Sequence, residues 1–572
     1  MPHLAITSER IDDVPLLMYW LREMHIDKII DAVLGPPHGN HQGLSYGQLT
    51  VGFIAYILSE CNHFLSPVCD WVLEHRECLS QALGQPIRDT DFTDDRLEDL
   101  LDALGPAAVG EQVETQLGQH LIRAYELPTD TGRIDTMTVS VYHQPQGESL
   151  LAFGQSKEQR PGLRQFKELL GTLDPAGLPL CSATVGGQRA DDPLYLPAWR
   201  QMVRLLGRSD FLVVGDCKMA SLETRAQIQA GGGYYLAPLP LTGNTPTELC
   251  RWVLNPPVAP VSLRLPKAAA DDPPVGQGFE VTVLRTWQDP QTGASVTWNE
   301  RALVLQSEKL ARRQQRGLAE RLARAERALR RVKAKPDTDL VALTAATQVI
   351  LERHRVADYL RVTWTPQTTQ RKRYLKRGRH GPDSPFEIVS TTTWRLTVER
   401  QEKAIATFQR LAGWRLYVSN APARRLDLDG AVACYREQWQ PERGFHRLKG
   451  IPLAFRPLLL RSDLRICGLL QVLVLALRAL TLFEFVVRRS LEEQAEQLQG
   501  LYAGNPKRAT ERQTTERLLK VFEGLTLYRL SDGVTTWHEM SPLSALQRRI
   551  LGLVGIPESV YAVPGRPLLA SP

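Results

Sequence analysis

The sequence predicts an α/β protein with a mixed sheet, a helical region before that sheet and an insertion within it. Three observations predict this class. Apolar residues recur at three- and four-residue steps up to about residue 127. Short β-rich runs then alternate with helical segments over 128–240. Between 241 and 410, proline-rich turns and long charged segments interrupt that alternation. A chain of 572 residues, 43% hydrophobic and 23% charged, is long enough for several domains that each bury a core.

The first predicted domain, 1–127, is all helical and acidic. The stretches "VPLLMYWLREM" and "LSYGQLTVGFIAYILSE" carry helical periodicity, and "DFTDDRLEDLLDAL" opens with Asp and Thr caps. The domain holds 7 Lys and Arg against 20 Asp and Glu, a net charge of −13. Because the whole chain carries +6, the remaining residues together carry +19. A strongly basic remainder favours a polyanionic partner, although surface solubility explains such an imbalance equally well.

The second predicted region, 128–240, is the first part of a mixed α/β layer. A helix over "DDPLYLPAWRQMVRLLG" is expected to begin with Asp191 or Asp192 as its cap, just before Pro193. The runs predicted to be strands are "GRIDTMTVSVYH", "LLAFGQS", "LPLCSATVGG", "SDFLVVGDCKMAS" and "GGGYYLAPLP".

The predicted insertion, 241–410, is β-rich, partly helical and basic. Its long segment "SEKLARRQQRGLAERLARAERALRRVKAK" is interpreted as a helix that is polar nearly all round, which either bridges solvent or lies along another charged surface. The cluster "RKRYLKRGRH" is either an exposed hairpin or a phosphate contact with a stacking tyrosine. Its candidate DNA contacts are Arg371, Lys372, Arg373, Lys376 and Arg377.

The layer resumes over 411–495, and the region 496–572 follows without a clear pattern. The stretch "YREQWQPERGFHRLKG" places Tyr435, Glu442 and Lys449 at seven-residue steps, which brings all three to one face of a continuous helix. Pro441 cannot donate to the carbonyl of Glu437, so the helix is expected to kink or to restart there. A restart would put Glu442 in a first turn. A buried helix is predicted over 464–488.

Three carboxylates stand out as candidate metal ligands. Asp135 lies within an apolar alternating strand, where an unpaired carboxylate is costly. Asp216 ends a hydrophobic strand, the position at which open α/β sheets bind their ligands. With Glu442, they would suit two Mg²⁺ ions, with Mn²⁺ as the alternative ion, and Lys449 would take a neighbouring phosphate. Each also has a simpler interpretation. Asp135 would be a turn or edge residue, Asp216 would cap the segment that follows it, and Glu442 would be a surface residue of a helix.

Cysteine usage and hydropathy give the expected compartment. The eight cysteines include no Cys-x-x-Cys pair, which argues against a zinc site or a disulfide framework and favours a reducing compartment. The N-terminus has no secretory signal pattern. The longest apolar stretch, 466–477, is too short to span a bilayer. We therefore expect a cytoplasmic protein without a membrane partner.

The order Asp135, Asp216, a long insertion and then Glu442 resembles the DDE transposases of bacterial insertion sequences. More narrowly, it is similar to the branch with a largely β insertion and a helix reading Tyr-x2-Arg-x3-Glu-x6-Lys. Tyr435, Glu442 and Lys449 match that helix in register, whereas Gln438 stands at its arginine position. The stretches "HGNHQGLSYGQL" and "DFTDDRLEDLLDAL" resemble the N-terminal domain of some members.

The resemblance implies a ribonuclease-H-like core in which Asp135, Asp216 and Glu442 are both catalytic residues and metal ligands. A water activated by Mg²⁺ would cut DNA at the element ends, and the freed 3′-hydroxyl would then attack target DNA. Tyr435 would contact a phosphate or a base. The implied partner is double-stranded DNA, both element ends and target, bound by a homodimer or higher oligomer in the bacterial cytoplasm and associated with the nucleoid.

Two other functions stay open at this level. Pro441 and Gln438 favour a DNA-binding relative that has lost cleavage. A nuclease on the same core, without strand transfer, is the second alternative.

Overall fold

The computed structural model describes residues 5–37, 39, 43–143, 149–266, 268–269, 271–335 and 338–562. Most of the stretch "HGNHQ" and the last ten residues of the predicted tail lie outside the described residues. The chain divides into two compact units. The first unit comprises 1–237, 286–298 and 434–572, and the second comprises 238–285 and 299–433. The five predicted domains are a finer division, whose boundaries stay predictions.

Seven consecutive helices follow the first strand, and strands and helices are mixed along the rest of the chain. The α-helices are α1 (Val14–Glu23), α2 (Ile26–Leu34), α3 (Tyr46–Glu60), α4 (Val68–Glu74), α5 (Arg76–Leu83), α6 (Asp94–Leu104), α7 (Ala107–Ala124), α8 (Tyr195–Leu206), α9 (Leu222–Ala230), α10 (Thr245–Leu254), α11 (Glu308–Leu329), α12 (Leu340–Arg353), α13 (Glu402–Leu411), α14 (Leu428–Arg436), α15 (Trp439–Lys449), α16 (Asp463–Glu493), α17 (Thr515–Lys520) and α18 (Ala545–Val554). The strands are β1 (Ala5–Arg10), β2 (Thr131–Val141), β3 (Arg164–Leu173), β4 (Leu178–Gly186), β5 (Leu212–Gly215), β6 (Tyr234–Pro238), β7 (Val261–Leu263), β8 (Gly276–Gln288), β9 (Ser295–Ser307), β10 (Leu360–Tyr374), β11 (Phe386–Arg400), β12 (Trp414–Ser419), β13 (Thr526–Ser531) and β14 (Thr536–Met540).

The main sheet of the first unit is mixed, which confirms the predicted α/β class. Its strands run in the order β4-β3-β2-β5-β6. The pairs β2–β5 and β5–β6 are parallel, and the pairs β2–β3 and β3–β4 are antiparallel. Strand β2 is buried along almost its whole length, as a strand covered on both faces should be. The carboxyl end of β5 therefore lies beside the first half of β2, at Ile134.

The second predicted strand, "LLAFGQS", is not a strand. Within it, Ala152 makes only an isolated bridge to Gln165, and the strand that pairs with β2 is β3. Gly154 lies close to the backbone of Gly187, since a Cβ there would be 2.1 Å from its carbonyl oxygen. In this loop Leu151 is buried and Phe153 is exposed, so the apolar run resembles a strand without forming one.

The prediction that the N-terminal region is all helical is wrong at its start. Helices α1 to α7 do occupy 14–124, but β1 precedes them and pairs antiparallel with β13, from Ala5↔Ser531 to Arg10↔Thr526. Most of β1 is exposed, so it has no hydrophobic alternation to reveal it. Its partner also lies more than 500 residues away in the chain.

The second unit contains a smaller sheet, a long hairpin and a helical cluster. Its sheet strands run in the order β12-β9-β8-β7, and β10 pairs with β11 as a separate antiparallel hairpin. The interpretation of the Arg-rich helix as polar nearly all round is wrong. Helix α11 buries Leu318, Leu322, Ala325 and Leu329 at three- and four-residue steps against α12 and the base of the hairpin. Abundant arginines on the other faces hid this apolar stripe.

Helix α16 is the central helix of the first unit and extends the predicted 464–488 at both ends. By length and composition it is apolar enough to cross a membrane, yet 89% of its most apolar window is buried inside the protein. Such burial is typical of the core helix of a folded domain. It contacts α15, which carries Glu442.

Candidate active site

The first two predicted carboxylates lie on neighbouring parallel strands. The register of β2 and β5 runs from Thr131↔Leu212 to Ile134↔Gly215, so Asp135 and Asp216 are the next residues of each strand. Neighbouring strands are about 4.8 Å apart, and residues in register point to the same face. Asp135, within β2, and Asp216, directly after β5, therefore lie side by side on two interior strands of the sheet.

Asp216 is held in place by two hydrogen bonds to one of its carboxylate oxygens. The Tyr195 hydroxyl donates to Oδ1 at 2.6 Å, and the backbone N–H of Lys218 donates to the same atom at 2.8 Å. Tyr195 is fully buried at the first position of α8, so its hydroxyl has little freedom to turn away. Sequence reasoning missed Tyr195, because a tyrosine on the apolar face of a helix gives no sign that its hydroxyl faces a carboxylate.

The chain starts a new helix near Pro441, which is the second of the two predicted alternatives, a kink or a restart. Glu442 lies in the first turn of that helix. Helix α14 ends at Arg436 and α15 begins at Trp439, with Gln438 as its N-cap residue. The predicted common face is therefore wrong for Tyr435, which lies on α14 and not on the helix of Glu442 and Lys449. The physical reason is Pro441, which suits a first turn and cannot continue a helix.

Four charged side chains fasten α15 to its neighbours in the first unit. Arg443 donates to both carboxylate oxygens of buried Glu484 on α16, at 2.5 and 2.6 Å, and Arg447 donates to Glu484 at 2.6 Å. Arg447 also donates to Glu516 on α17, at 2.8 and 3.1 Å. Helix α15 also packs on β2 and β3. The helix that carries Glu442 is therefore fixed from two sides.

The pKa of Asp135 indicates that the other two carboxylates lie near it. Burial raises the pKa of Asp135, and the negative charges of Asp216 and Glu442 raise it further, to about 7. The backbone N–H of Thr136, which donates to Asp135 Oδ1 at 2.7 Å, and the charge of Lys157 oppose that rise. Like charges gathered at one place raise each other's pKa unless a cation compensates them.

This donor set fits a divalent cation in its chemistry. Carboxylate oxygens are the ligands of Mg²⁺ and Mn²⁺. Burial first, and the charges of Asp216 and Glu442 next, raise the pKa of Asp135, and a bound cation would oppose both effects. As the side chains stand, no three His, Cys, Asp or Glu residues of the described chain are arranged to hold a metal ion. Glu442, the third carboxylate, is an exposed residue.

Lys449 is placed beside the same sheet but is already engaged. Its ammonium donates to the carbonyl of Thr138 at 2.8 Å and to Glu158 Oε1 at 2.9 Å. Arg456 also pairs with Glu158. Sequence reasoning missed Glu158 and Arg456, since the loop that contains Glu158 was interpreted in part as a strand.

Asp191 and Gln438 have partners that the sequence did not suggest. Asp191 lies at the N-cap position of a short 3-10 helix, but its side chain makes no cap hydrogen bond. It pairs instead with Lys167 at 2.5 Å and Lys157 at 3.0 Å, so the predicted capping role is wrong. Gln438 accepts a hydrogen bond from Arg133 at 3.4 Å.

The five basic candidates of the insertion lie at the far end of the β10–β11 hairpin. Arg371, Lys372 and Arg373 belong to β10, Lys376 and Arg377 follow it, and all five are exposed. Lys372 lies 4.3 Å from the ring centre of Phe386, and Arg373 pairs with Glu387 at 2.9 Å. The alternative of an exposed hairpin is therefore confirmed, while DNA contact stays a prediction.

Comparison with known proteins identifies the family of the chain. The family model described as "Transposase DDE domain" matches residues 128–477, which include Asp135, Asp216 and Glu442. Among solved structures, the chain is similar to a piggyBac transposase synaptic complex with hairpin DNA. The identity is 11% and the TM-score 0.22, over 51% of this chain and 62% of that chain. Comparison with curated protein sequences gave no match. Because the family model covers more than half of its length, the chain belongs to the transposase DDE domain family.

Proposed function

We propose that this transposase cuts DNA at the ends of its element and joins the freed 3′-hydroxyl to target DNA, in reactions that depend on Mg²⁺. The observation that carries the proposal is geometric: Asp135 and Asp216 are neighbours on the parallel strands β2 and β5, and the helix that carries Glu442 packs on β2. Such a set of carboxylates, on a mixed sheet of the order β4-β3-β2-β5-β6, suits a ribonuclease-H-like nuclease. An origin in a bacterial insertion sequence and action as a homodimer or higher oligomer are parts of the same proposal.

The three carboxylates have distinct tasks in this proposal. Asp135 and Asp216, adjacent on β2 and β5, would hold the cations, and Glu442 would complete the site from α15. Bound divalent cations supply charge stabilisation to the attacking and leaving oxygens of a phosphodiester. Tyr195 keeps Asp216 oriented through its 2.6 Å hydrogen bond. The arginine contacts to Glu484 keep α15 in position while Glu442 turns toward the sheet.

Plasmid nicking tests the proposal directly. Purified protein with supercoiled plasmid carrying the element ends should give nicked or linear products with Mg²⁺ or Mn²⁺, and none with EDTA. The variant Asp135→Asn should bind the same DNA without cutting it. Joining of a labelled 3′-hydroxyl end to a second duplex separates a transposase from a nuclease without strand transfer.

A DNA-binding relative that has lost cleavage is the second candidate. It is favoured by the two departures from the family's helix pattern, Pro441 and Gln438, the latter engaged by Arg133 at 3.4 Å. DNA binding by the wild type that is insensitive to Mg²⁺, together with an absence of nicking under every metal condition, selects this candidate.

A further inference from the structure

A cluster of three charged side chains lies beside the candidate active site. Glu158 Oε1 pairs with Lys449 at 2.9 Å and with Arg456, and the backbone N–H of Ser140 donates to Oε2 at 3.4 Å. Lys449 lies in the last turn of α15, and Arg456 lies in the segment that follows it. Glu158 lies in the loop between β2 and β3. Two cations and one N–H thus surround a single carboxylate.

The same set of donors suits a phosphodiester. A phosphate carries one negative charge and accepts charge-assisted hydrogen bonds from Lys, Arg and backbone N–H groups, as Glu158 does here. The two cations remain accessible, since the side chains of Lys449 and Arg456 are 29% and 33% exposed. The Nε–H of Arg456 is buried and has no hydrogen-bond partner within the described chain, so Glu158 does not satisfy the whole guanidinium.

The position of Lys449 relates this cluster to the catalytic carboxylates. Lys449 follows Glu442 by seven residues on α15, a distance of about 10.5 Å along the axis at 1.5 Å per residue. A DNA strand whose scissile phosphate lies at the carboxylates would bring a flanking phosphate toward Lys449. In the DNA-free protein, the ammonium of Lys449 is already engaged by Glu158 at 2.9 Å.

Glu158 competes as a charged group at neutral pH. Although its partial burial acts to raise the pKa of Glu158, hydrogen bonds from Lys449, Ser140 and Arg456 lower it to about 2. Gln159, the next residue, has φ of +58°, a left-handed conformation that is uncommon outside glycine. The carboxylate is therefore presented by a turn of unusual geometry.

We propose that Glu158, when DNA is absent, fills the phosphate site already expected at Lys449, and that Arg456 is a second cation of that site. DNA binding then exchanges the Glu158 carboxylate for a phosphate. The inference rests on the proposed function, since it takes DNA as the ligand. The competing interpretation is that Glu158 only fastens α15 to the sheet.

The test is metal-free DNA binding by Glu158→Gln. The affinity of the whole protein for a fluorescein-labelled random-sequence duplex is measured in EDTA over a series of salt concentrations. Loss of the competing charge should tighten binding by roughly three- to tenfold, the equivalent of about 1 kcal/mol. Arg456→Ala should weaken binding by a similar factor and reduce the salt slope by about 1. In the double variant Glu158→Gln/Arg456→Ala, most of the gain from Glu158→Gln should be lost.

Glu493→Gln is the matched control. Glu493 is exposed and lies 3.9 Å from Arg489, so this variant also removes one negative charge from an arginine pair. It ends α16, about 45 Å along the helix from Asp463 at 1.5 Å per residue. Asp463 accepts hydrogen bonds from Ser149 and Leu150 in the loop that holds Glu158. The control should leave DNA affinity unchanged.

The outcomes separate this inference from the proposed function. A wild type that binds no DNA overturns both. A wild type that binds DNA, with Glu158→Gln at or below wild-type affinity, overturns only the inference and leaves Glu158 as a fastening of α15. A lower unfolding temperature for Glu158→Gln, combined with tighter DNA binding, still supports the phosphate site, because a fastening alone would not increase affinity. Affinity gained equally by Glu493→Gln would reduce the effect to net charge and contradict the phosphate site.

Discussion

The candidate active site and the β10–β11 hairpin are both rich in charged residues, but the charges are buried and paired in the first region and exposed in the second. In the first unit, buried Glu484 accepts from Arg443, Arg447 and Arg488. Such a network holds the three arginine side chains in position, because each is paired with the same buried carboxylate. On the hairpin the basic side chains are exposed, and the pair Arg373–Glu387 joins side chains that are 73% and 46% exposed. Paired burial suits a site that needs fixed geometry, and exposed charge suits contacts with a phosphate backbone.

The largest expected effect comes from Glu442→Gln. Loss of one carboxylate of the metal site should remove several kcal/mol of transition-state stabilisation and lower plasmid nicking roughly 10³-fold or more. DNA affinity and the unfolding temperature should stay near wild type, because Glu442 is exposed. Nicking at the wild-type rate would show that α15 serves only for packing, and the contrast between the two regions would then lose its functional meaning.

Glu484→Gln tests the fixed side of the comparison. The variant leaves three arginine side chains around a neutral amide, and removal of one partner of a buried ionic network costs about 3–5 kcal/mol. Urea unfolding should show that loss, whereas Glu493→Gln, on the exposed end of the same helix, should change the free energy of unfolding by less than about 0.5 kcal/mol. Equal effects of the two variants would contradict the role assigned to the network.

Buried Glu168 on β3 should make the free energy of unfolding depend on pH. Burial raises its pKa from 4.5 to about 8, while the 2.6 Å hydrogen bond from Thr184 opposes the rise. Between these values the folded state keeps a proton that the unfolded state has released. The contribution of Glu168 to stability should therefore fall by up to about 1.4 kcal/mol per pH unit as pH rises through this window.

Glu168→Gln should remove that dependence. Urea unfolding at several pH values should show the variant gaining on the wild type as pH rises toward about 8. Parallel pH profiles for the two proteins would mean that Glu168 is ionised in the folded protein.

The smallest expected effect on stability belongs to the hairpin. Lys376→Ala/Arg377→Ala removes two exposed cations and should change the free energy of unfolding by no more than about 0.5 kcal/mol. If both residues contact phosphates, the salt slope of DNA binding should fall by about 2. An unchanged salt slope would show that Lys376 and Arg377 do not contact DNA phosphates. The comparison would then no longer link the exposed charges of the hairpin to DNA binding.

Sequence patterns predicted those parts of the protein in which one residue type has one physical use. The strand that ends in Asp216 and the restart at Pro441 followed from apolar runs and from the missing N–H of proline. Contacts between distant segments left no such pattern. Tyr195 and Glu158 look ordinary in the sequence, and only the fold brings them to Asp216 and Lys449. The same holds for β1, whose partner β13 is near the other end of the chain.

The central claim is that Asp135, Asp216 and Glu442 together bind divalent cations. Anomalous diffraction from Mn²⁺-soaked crystals of the protein with a DNA duplex tests it most directly. We expect Mn²⁺ peaks at the carboxylates of Asp135 and Asp216, with the Glu442 carboxylate turned from solvent into the coordination shell. Mn²⁺ bound elsewhere, or a Glu442 side chain that still points away from the metal in the DNA complex, would contradict the account.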